Sequence, residues 1–316
     1  MGRYVLRRSL AIIPVLIGVT LLVFAAIHVL PGSKVLSIVG FQVSPEMVAR
    51  VESYYGLDQP MHVQYARYMG HLLSGDLGYS ISRKSPVGSV LAPAVANTAI
   101  LAGAALVLAV LAGLIGGFAA AFHAGSPVDR GITSLMLIVG TAPPFWLALV
   151  LILVLSIQLE LFPATGMYSP RGEPNLLDLL HHLVLPALAV AAQPAAIIAK
   201  VARGAMLEVR GAEFVTAARA KGLPRLRVFS GHVLRNVLSP IVTITGLQIG
   251  YLVGGVIFVE VVFGWPGIGF QLFQGVLARD ITLTMGASLI IAFVFVFVNF
   301  LADLINALLD PRHEVQ

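Results

Sequence analysis

Hydrophobic and polar positions in this chain come in long blocks, not in alternation. Six stretches lack Asp, Glu, Lys and Arg and are long enough to cross a bilayer: 9–33, 85–128, 131–159, 179–199, 236–259 and 281–302. A span takes about 20 apolar residues at 1.5 Å rise each. The second stretch opens with the Pro- and Gly-rich SPVGSVLAP, which trims the expected span to 96–122. Two short spans inside 85–128 are the alternative and would invert everything downstream. The fourth stretch holds Pro186 and Pro194, each expected to kink its helix and free a carbonyl.

The segments between the spans carry their own signals. SPEMVARVESYYG (44–56) predicts a short helix, with Ser44 as N-cap, Pro45 at the first position and Gly56 as the stop. A second helix is expected over 59–75, with Met61, Tyr65, Tyr68, Met69, Leu72 and Leu73 near one face. GDLGYSISRKSPV follows as an extended or turning link. This outer cap is too small for a separate enzyme domain; composition favours a cover over the spans, with a docking platform as the functional alternative. FGWPGIGFQLFQ, after the fifth stretch, is apolar but cannot be one helix, because Gly264, Pro266, Gly267 and Gly269 interrupt it. It predicts a re-entrant turn on the outer side.

Composition agrees with lipid as the solvent. Of 316 residues, 58% are hydrophobic and 11% charged, against about 25% charged in soluble proteins. The net charge of +5 does not point to nucleic acid, because the bases cluster beside apolar runs. Cysteine is absent, so neither a disulfide framework nor thiol chemistry is available.

Charge also orients the chain. The first apolar core, Ser9 to Leu30, follows Arg3, Arg7 and Arg8 and exceeds the roughly 7–15 residues of a cleavable signal. It predicts a retained anchor with a cytoplasmic N-terminus, and six spans then return the C-terminus to the cytoplasm. Loop 203–235 carries seven Arg and Lys against Glu208 and Glu213, whereas loop 160–178 has only Arg171 against Glu160, Glu173 and Asp178. Both obey the positive-inside rule. The expected organisation is an N-terminal tail and first span (1–31), an extracytoplasmic segment (32–95), a five-helix core with the cytoplasmic loop 203–235 (96–308), and a cytoplasmic tail (309–316).

Catalytic motifs are missing. A Walker A loop needs Gly-Lys, but Lys34, Lys84, Lys200 and Lys221 follow Ser, Arg, Ala and Ala. Neither HExxH nor GxSxG occurs, and the adjacent His181 and His182 would point apart on a helix, so no metal site is expected. Lys200, Glu260 and Asp303 sit at span margins, where snorkelling is the plain reading. Asn299, Asp303 and Asn306 form one polar stripe on the sixth span, able to line a pathway or to hold helices together. No file of buried carboxylates or histidines crosses the membrane, which argues against a proton-driven carrier. An ion-coupled carrier would need a site near Asp303 or Glu260, and an inert scaffold would need no pathway.

Residues 213–224, EFVTAARAKGLP, form a tidy polar helix between two apolar runs. Glu213 suits the positive end of the helix dipole and Arg219 and Lys221 the negative end, each by about 0.3–1 kcal/mol. Gly222 is the expected left-handed stop, and Pro224 forbids continuation. Phe214, Ala217 and Ala218 are expected on one face, a small-residue knob beside one aromatic. A basic loop that happens to be helical is the alternative.

Glu213, Ala217, Ala218, Gly222, Leu234 and Pro240 resemble the EAA loop of binding-protein-dependent ABC importer permeases. The resemblance runs through RYVLRRSLAIIPVLIGVTLLVF, YGLDQPMHVQYARYM, SGDLGYS, APPFWLAL, LVLPALAV, TAARAKGLP, HVLRNVLSPIVTITGLQIGYLVGG, VEVVFGWPGIG and LLDPR, and is closest to permeases of the dipeptide/oligopeptide/nickel branch. It implies an all-α, six-span type I importer permease in the bacterial inner membrane. Glu213, Phe214, Ala217, Ala218, Lys221 and Gly222 would couple to an ATPase. Glu260, Trp265, Pro266, Asn299 and Asp303 become candidates for the external gate or pathway. The implied partners are a second permease, two ATPase subunits carrying ATP and magnesium, and an extracytoplasmic binding protein; the chain itself would bind no cofactor. Peptides are the implied cargo, with nickel as the alternative within the branch.

Overall fold

The computed structural model describes residues 2–29, 46, 59–170 and 173–309. The helix expected over 44–56 (apart from Glu46, which is helical) and the tail from 310 onward lie outside the described residues. Helix α1 (Gly2–Val29) is followed by α2 (Met61–Leu73) and a small hairpin, β1 (Tyr79–Ser80) against β2 (Ser85–Pro86). Then come α3 (Val87–Phe122), α4 (Pro127–Thr141), α5 (Pro144–Leu151, prolonged by a π-helical turn Ile152–Gln158) and α6 (Leu176–Gly211). The short α7 (Glu213–Ala220) and α8 (Arg225–Val228) lead through a second π turn into α9 (Leu234–Phe263). Helices α10 (Ile268–Leu277) and α11 (Ile281–Leu309) close the described chain.

Among the described residues, α3, α6, α9 and α11 are each long and apolar enough to cross a membrane, and α1 adds the shorter apolar run Ile12–Ala25. The stretch 131–159 departs from expectation. It is not one straight span but two helices, α4 and α5, bent by 109°. Ala142 and Pro143 each precede a proline, and a residue in that position is pushed from helical to extended backbone. Both are extended, with ψ of 134° and 136°.

The start of α3 is a second correction. The Pro- and Gly-rich 87–95 is helical, so α3 begins at Val87 and runs through Pro93. Tertiary packing overrides the breaker signal here: Val87, Leu91 and Ala94 are buried against Ile268, Leu283 and Ala287. Similarly, α6 runs unbroken through Pro186 and Pro194.

Among the described residues, helices α3 and α6 form the most extensive pair. In lipid, close packing rather than hydrophobicity joins helices, so small residues mark the seam. On α3, Ala105, Ala109, Gly113 and Gly117 face inward, while Val107, Leu111 and Ile115 are exposed. A Cβ at Gly117 would stand 2.6 Å from the Ala199 carbonyl oxygen of α6. Only glycine lets the two backbones approach that closely.

Helix α2 lies on α1. The Tyr65 hydroxyl is 2.8 Å from the Thr20 hydroxyl, and Phe24 meets Tyr65 edge-on at 5.3 Å. The predicted face of α2 is rotated: Gln64 is buried, whereas Met61 and Leu73 are exposed. The hairpin is anchored on Asp280, whose carboxylate accepts hydrogen bonds from the Ser80 hydroxyl (2.6 Å), the Ser82 hydroxyl (2.7 Å) and the Ser82 amide (3.0 Å). The same carboxylate caps α11 through the Leu283 amide at 3.0 Å. Burial alone would raise the Asp280 pKa, but these hydrogen bonds together outweigh it and hold the carboxyl below its ordinary range.

Candidate functional site: helix α7 and the Glu260 knot

Helix α7 is short and its two faces differ. Val215 and Ala218 are buried in the main core, while Glu213, Phe214, Thr216, Ala217 and Lys221 are exposed. The expected knob is corrected accordingly. Phe214, Ala217 and Lys221 share the outward stripe at helical spacing, and Ala218 turns inward with Val215, one turn apart. The inward pair roots the helix, and the outward stripe is exposed.

The end of α7 is a Schellman stop. Gly222 has φ of 77°, and the Leu223 amide donates to the Ala218 carbonyl at 3.3 Å. Leu223 packs against the core that contains Ala218. Pro224 then starts the next turn, accepting from the Arg227 and Val228 amides at 3.0 and 3.1 Å. The chain therefore enters and leaves α7 on fixed backbone.

A clamp joins α6 to α4 where the sequence predicts none. Asp129 of α4 accepts from Arg203 Nε and Nη2, both at 2.7 Å, in a two-pronged pair. Asp129 also accepts from the Gly125 amide at 3.0 Å, and Ser126 caps α4 by accepting from the Asp129 amide at 3.3 Å. Arg210 donates to the Ala121 carbonyl at 3.1 Å. The end of α6 that leads into α7 is thus tied to the α3–α4 corner. Ser126-Pro127-Val128-Asp129 was the readable signal, an N-cap with an acid three residues on.

At the C-terminal end of α9, Glu260 does not snorkel. It is fully buried and its carboxylate accepts from the Thr98 hydroxyl at 2.5 Å and from the Gly269 and Phe270 amides at 2.7 and 3.3 Å. Those amides belong to the first turn of α10, so Glu260 acts as a remote N-cap where the helix dipole favours an anion. Gly267 lies flat against the carboxylate, where a Cβ would collide with it. Trp265, also fully buried, donates its indole N–H to the Asn97 carbonyl at 2.9 Å, and the Asn97 amide donates to the Pro266 carbonyl at 3.0 Å. The Ile268 amide closes the knot by donating to Thr98 Oγ1 at 2.9 Å. The interrupted segment is therefore an ordered fold-back stapled to α3.

The remaining sequence candidates lie apart. Asn299 donates to the Phe295 carbonyl of its own helix at 2.8 Å, and its Oδ1 rests on Gly250 where a Cβ would collide. It packs α11 on α9. Asp303 lies on α11, with its side chain outside the described residues. Lys200 is exposed beside a cavity of about 520 Å³ between α3, α4 and α6. His181 and His182 bond the Leu161 and Asp178 carbonyls, each at 2.9 Å, and so brace the start of α6.

Comparison with known proteins places this geometry. Residues 109–315 match the family model "Binding-protein-dependent transport system inner membrane component", and residues 1–101 match the model for the N-terminal region of such components. The chain is 36% identical to the dipeptide transport system permease protein DppB of Escherichia coli K12, covering 99% of this chain and 98% of that one. It is also 36% identical to the oligopeptide transport system permease protein AppB of Bacillus subtilis, over 99% and 100% of the two chains. The di/tripeptide permease protein DppB of Pseudomonas aeruginosa matches at 36%, over 98% of each. In fold it resembles the inward-facing MetNI methionine ABC transporter (TM-score 0.53, 17% identity, 70% of this chain and 96% of that chain). An amino acid ABC transporter solved with histidines is similar (TM-score 0.52, 16% identity, 69% and 93%). With both family models matched and relatives aligned end to end, the chain belongs to the inner membrane components of binding-protein-dependent ABC transport systems.

Proposed function

We propose that this chain is one of two permease subunits enclosing a pathway for short peptides, driven inward by ATP hydrolysis on separate subunits. The outward stripe of Phe214 and Ala217 on α7, continued by Lys221 just past its end, carries the reading: an exposed aromatic beside a small residue, on a helix rooted from behind by Val215 and Ala218. Each ATPase subunit, with its ATP and magnesium, docks on such a helix, this one and its counterpart on the second permease. A binding protein delivers cargo at the outer face. Both termini and α7 are cytoplasmic, and the hairpin, α2 and α10 are extracytoplasmic. Peptides are favoured because the full-length relatives above are named for dipeptides, oligopeptides and di- or tripeptides.

Motion enters at α7 and passes to α6 across the single residue Ala212. The Asp129–Arg203 clamp makes the α3–α4 corner move with α6. At the other end, the Glu260–Trp265 knot binds α10 to α3 and α9, so the external gate moves as a block.

The chain has no cysteine, so Ala217→Cys is a unique label. A photo-activated cross-linker attached to that thiol should join it to an ATPase subunit in the assembled transporter. Cross-linking to the second permease or to nothing, with the complex intact, would remove the docking role from α7.

A further inference from the structure

Charges mark where α4 and α6 leave the apolar layer. Arg130 is the last charged residue before the charge-free stretch 131–159, and Lys200 is the first after 179–199. The Asp129–Arg203 pair joins the two helices at that level, and α6 runs on from it into α7. Long basic side chains at such a boundary reach into the headgroup layer. Both Arg130 and Lys200 are exposed, and neither has an ion-pair partner among the described residues. The neighbouring carboxylate, Asp129, is occupied by the Arg203 fork, the Thr133 hydroxyl and the Gly125 amide. Glu208 lies eight residues beyond Lys200 on α6, about 12 Å further along the axis. The rim therefore keeps two uncompensated positive charges.

The cavity of about 520 Å³ between α3, α4 and α6 opens at this rim. Lys200 and Gly204 line its mouth, and a Cβ at Gly204 would meet nothing within 4 Å. Further in, the walls are apolar, with Ile132, Met136 and Leu137 of α4 across from Ile197 of α6. At the far end they meet, since a Cβ at Gly140 would collide with that of Ala196. The flank of α4 alongside, at Leu135, Leu137 and Ile138, is exposed and apolar. A cationic mouth on an apolar, closed-ended body matches an amphiphile with an anionic head. A free anion would leave the apolar walls unfilled, and an apolar helix would leave both charges unanswered.

We infer that this groove binds an anionic phospholipid from the leaflet on the α7 side. Lys200, in the lining, donates to the phosphate, and Arg130, at the start of α4, adds attraction at the rim. One acyl chain lies along Met136 and Leu137 toward Gly140. The lipid fills the space beside the Asp129–Arg203 clamp. The site goes beyond the importer reading and holds whatever the cargo.

The test uses the assembled transporter in phosphatidylcholine vesicles. These carry a trace of phosphatidylglycerol or of phosphatidylcholine, each with the same photo-activated acyl chain, and labelled peptides are mapped by mass spectrometry. Phosphatidylglycerol should label the groove, 132–141 of α4 and 196–204 of α6, about fivefold or more above phosphatidylcholine, because each base near an anionic surface is worth about fivefold in binding. Lys200→Gln should lower that preference by about fivefold. Gly204→Phe should plug the mouth and block labelling by either lipid, with the partner permease and ATPase subunits still co-purifying. Should that variant fail to assemble, Lys200→Gln alone decides. Excess inorganic phosphate should leave the labelling in place. Equal labelling by the two lipids, or a preference unchanged in Lys200→Gln, would overturn the site. Displacement by inorganic phosphate would reduce it to a bare anion site and overturn the lipid. No lipid label in the groove of the unsubstituted complex would mean that a partner helix covers it, and would overturn the proposal as well.

Discussion

Arg203 holds Asp129 by two hydrogen bonds of 2.7 Å, joining the last turns of α6 to the first turn of α4. The pair ties the segment entering α7 to a corner of the bundle that α7 itself barely touches. Arg203→Lys keeps the charge but loses the fork that matches both carboxylate oxygens. Uptake should fall by about tenfold, a usual size for lost coupling, while insertion and ATPase attachment persist. Wild-type uptake in this variant would show that the clamp transmits nothing.

Glu260 answers for two backbone amides and one hydroxyl. Glu260→Ala leaves those donors buried without an acceptor, at about 1–3 kcal/mol for each unsatisfied group. The purified protein should unfold at distinctly lower temperature, and Trp265 fluorescence should move to longer wavelength as water reaches the fold-back. Unaltered melting and emission would contradict the role of the carboxylate as the cap of α10.

Gly222 has φ of 77°, where a β-branched side chain is strongly disfavoured. Gly222→Val should cost about 1–2 kcal/mol locally and misdirect Leu223 and Pro224. Gly222→Asn should be far milder, since asparagine tolerates left-handed backbone. Co-purification of the ATPase subunits measures the difference. Equal retention by both variants would contradict a requirement for the left-handed stop.

Asp280 gives a pH signature. Its folded pKa lies below the ordinary 3.8, so its ionised form is favoured by folding. That stability is fully present above the ordinary value and is lost as pH falls through the lower folded value. At neutral pH Asp280→Asn should melt below the parent protein, and the gap should close in strong acid. A gap that stays constant with pH would place the effect outside the carboxylate's hydrogen bonds to Ser80, Ser82 and Leu283.

The sequence is legible where backbone chemistry is local. The acid at Glu213, the stop at Gly222 and the interruption after Phe263 all predict what the structure shows. It is less legible where lipid replaces water. A helix such as α3 is apolar all round, so periodicity cannot separate its buried side from its lipid side. Size does: Ala105, Ala109, Gly113 and Gly117 mark the seam, and Val107, Leu111 and Ile115 the outside. The inward turn of Ala218 has no sequence signal, because alanine is equally at home on either face of α7. Long-range pairs escaped for another reason. Thr98 meets Glu260 across 162 positions and Asp129 meets Arg203 across 74, and no local pattern announces either partner. The bend at Ala142–Pro143 was readable from two successive prolines, but the surrounding apolar run masked it.

ATP hydrolysis on a partner should reach this chain through α7. Ala217 is exposed, so Ala217→Glu adds bulk and charge to the outward face of α7 while sparing the core. An unpaired charge in a close-packed interface costs several kcal/mol, on the order of 3–5 when it is buried. The decisive measurement is dipeptide uptake into vesicles holding the assembled transporter, with binding-protein loading and ATPase co-purification followed in parallel. The account predicts ATP-dependent uptake in the parent and its near-complete loss in Ala217→Glu, with the binding protein still loading peptide and the ATPase subunits detached. Full uptake by the parent in vesicles lacking any ATPase subunit, or undiminished uptake by Ala217→Glu, would contradict it.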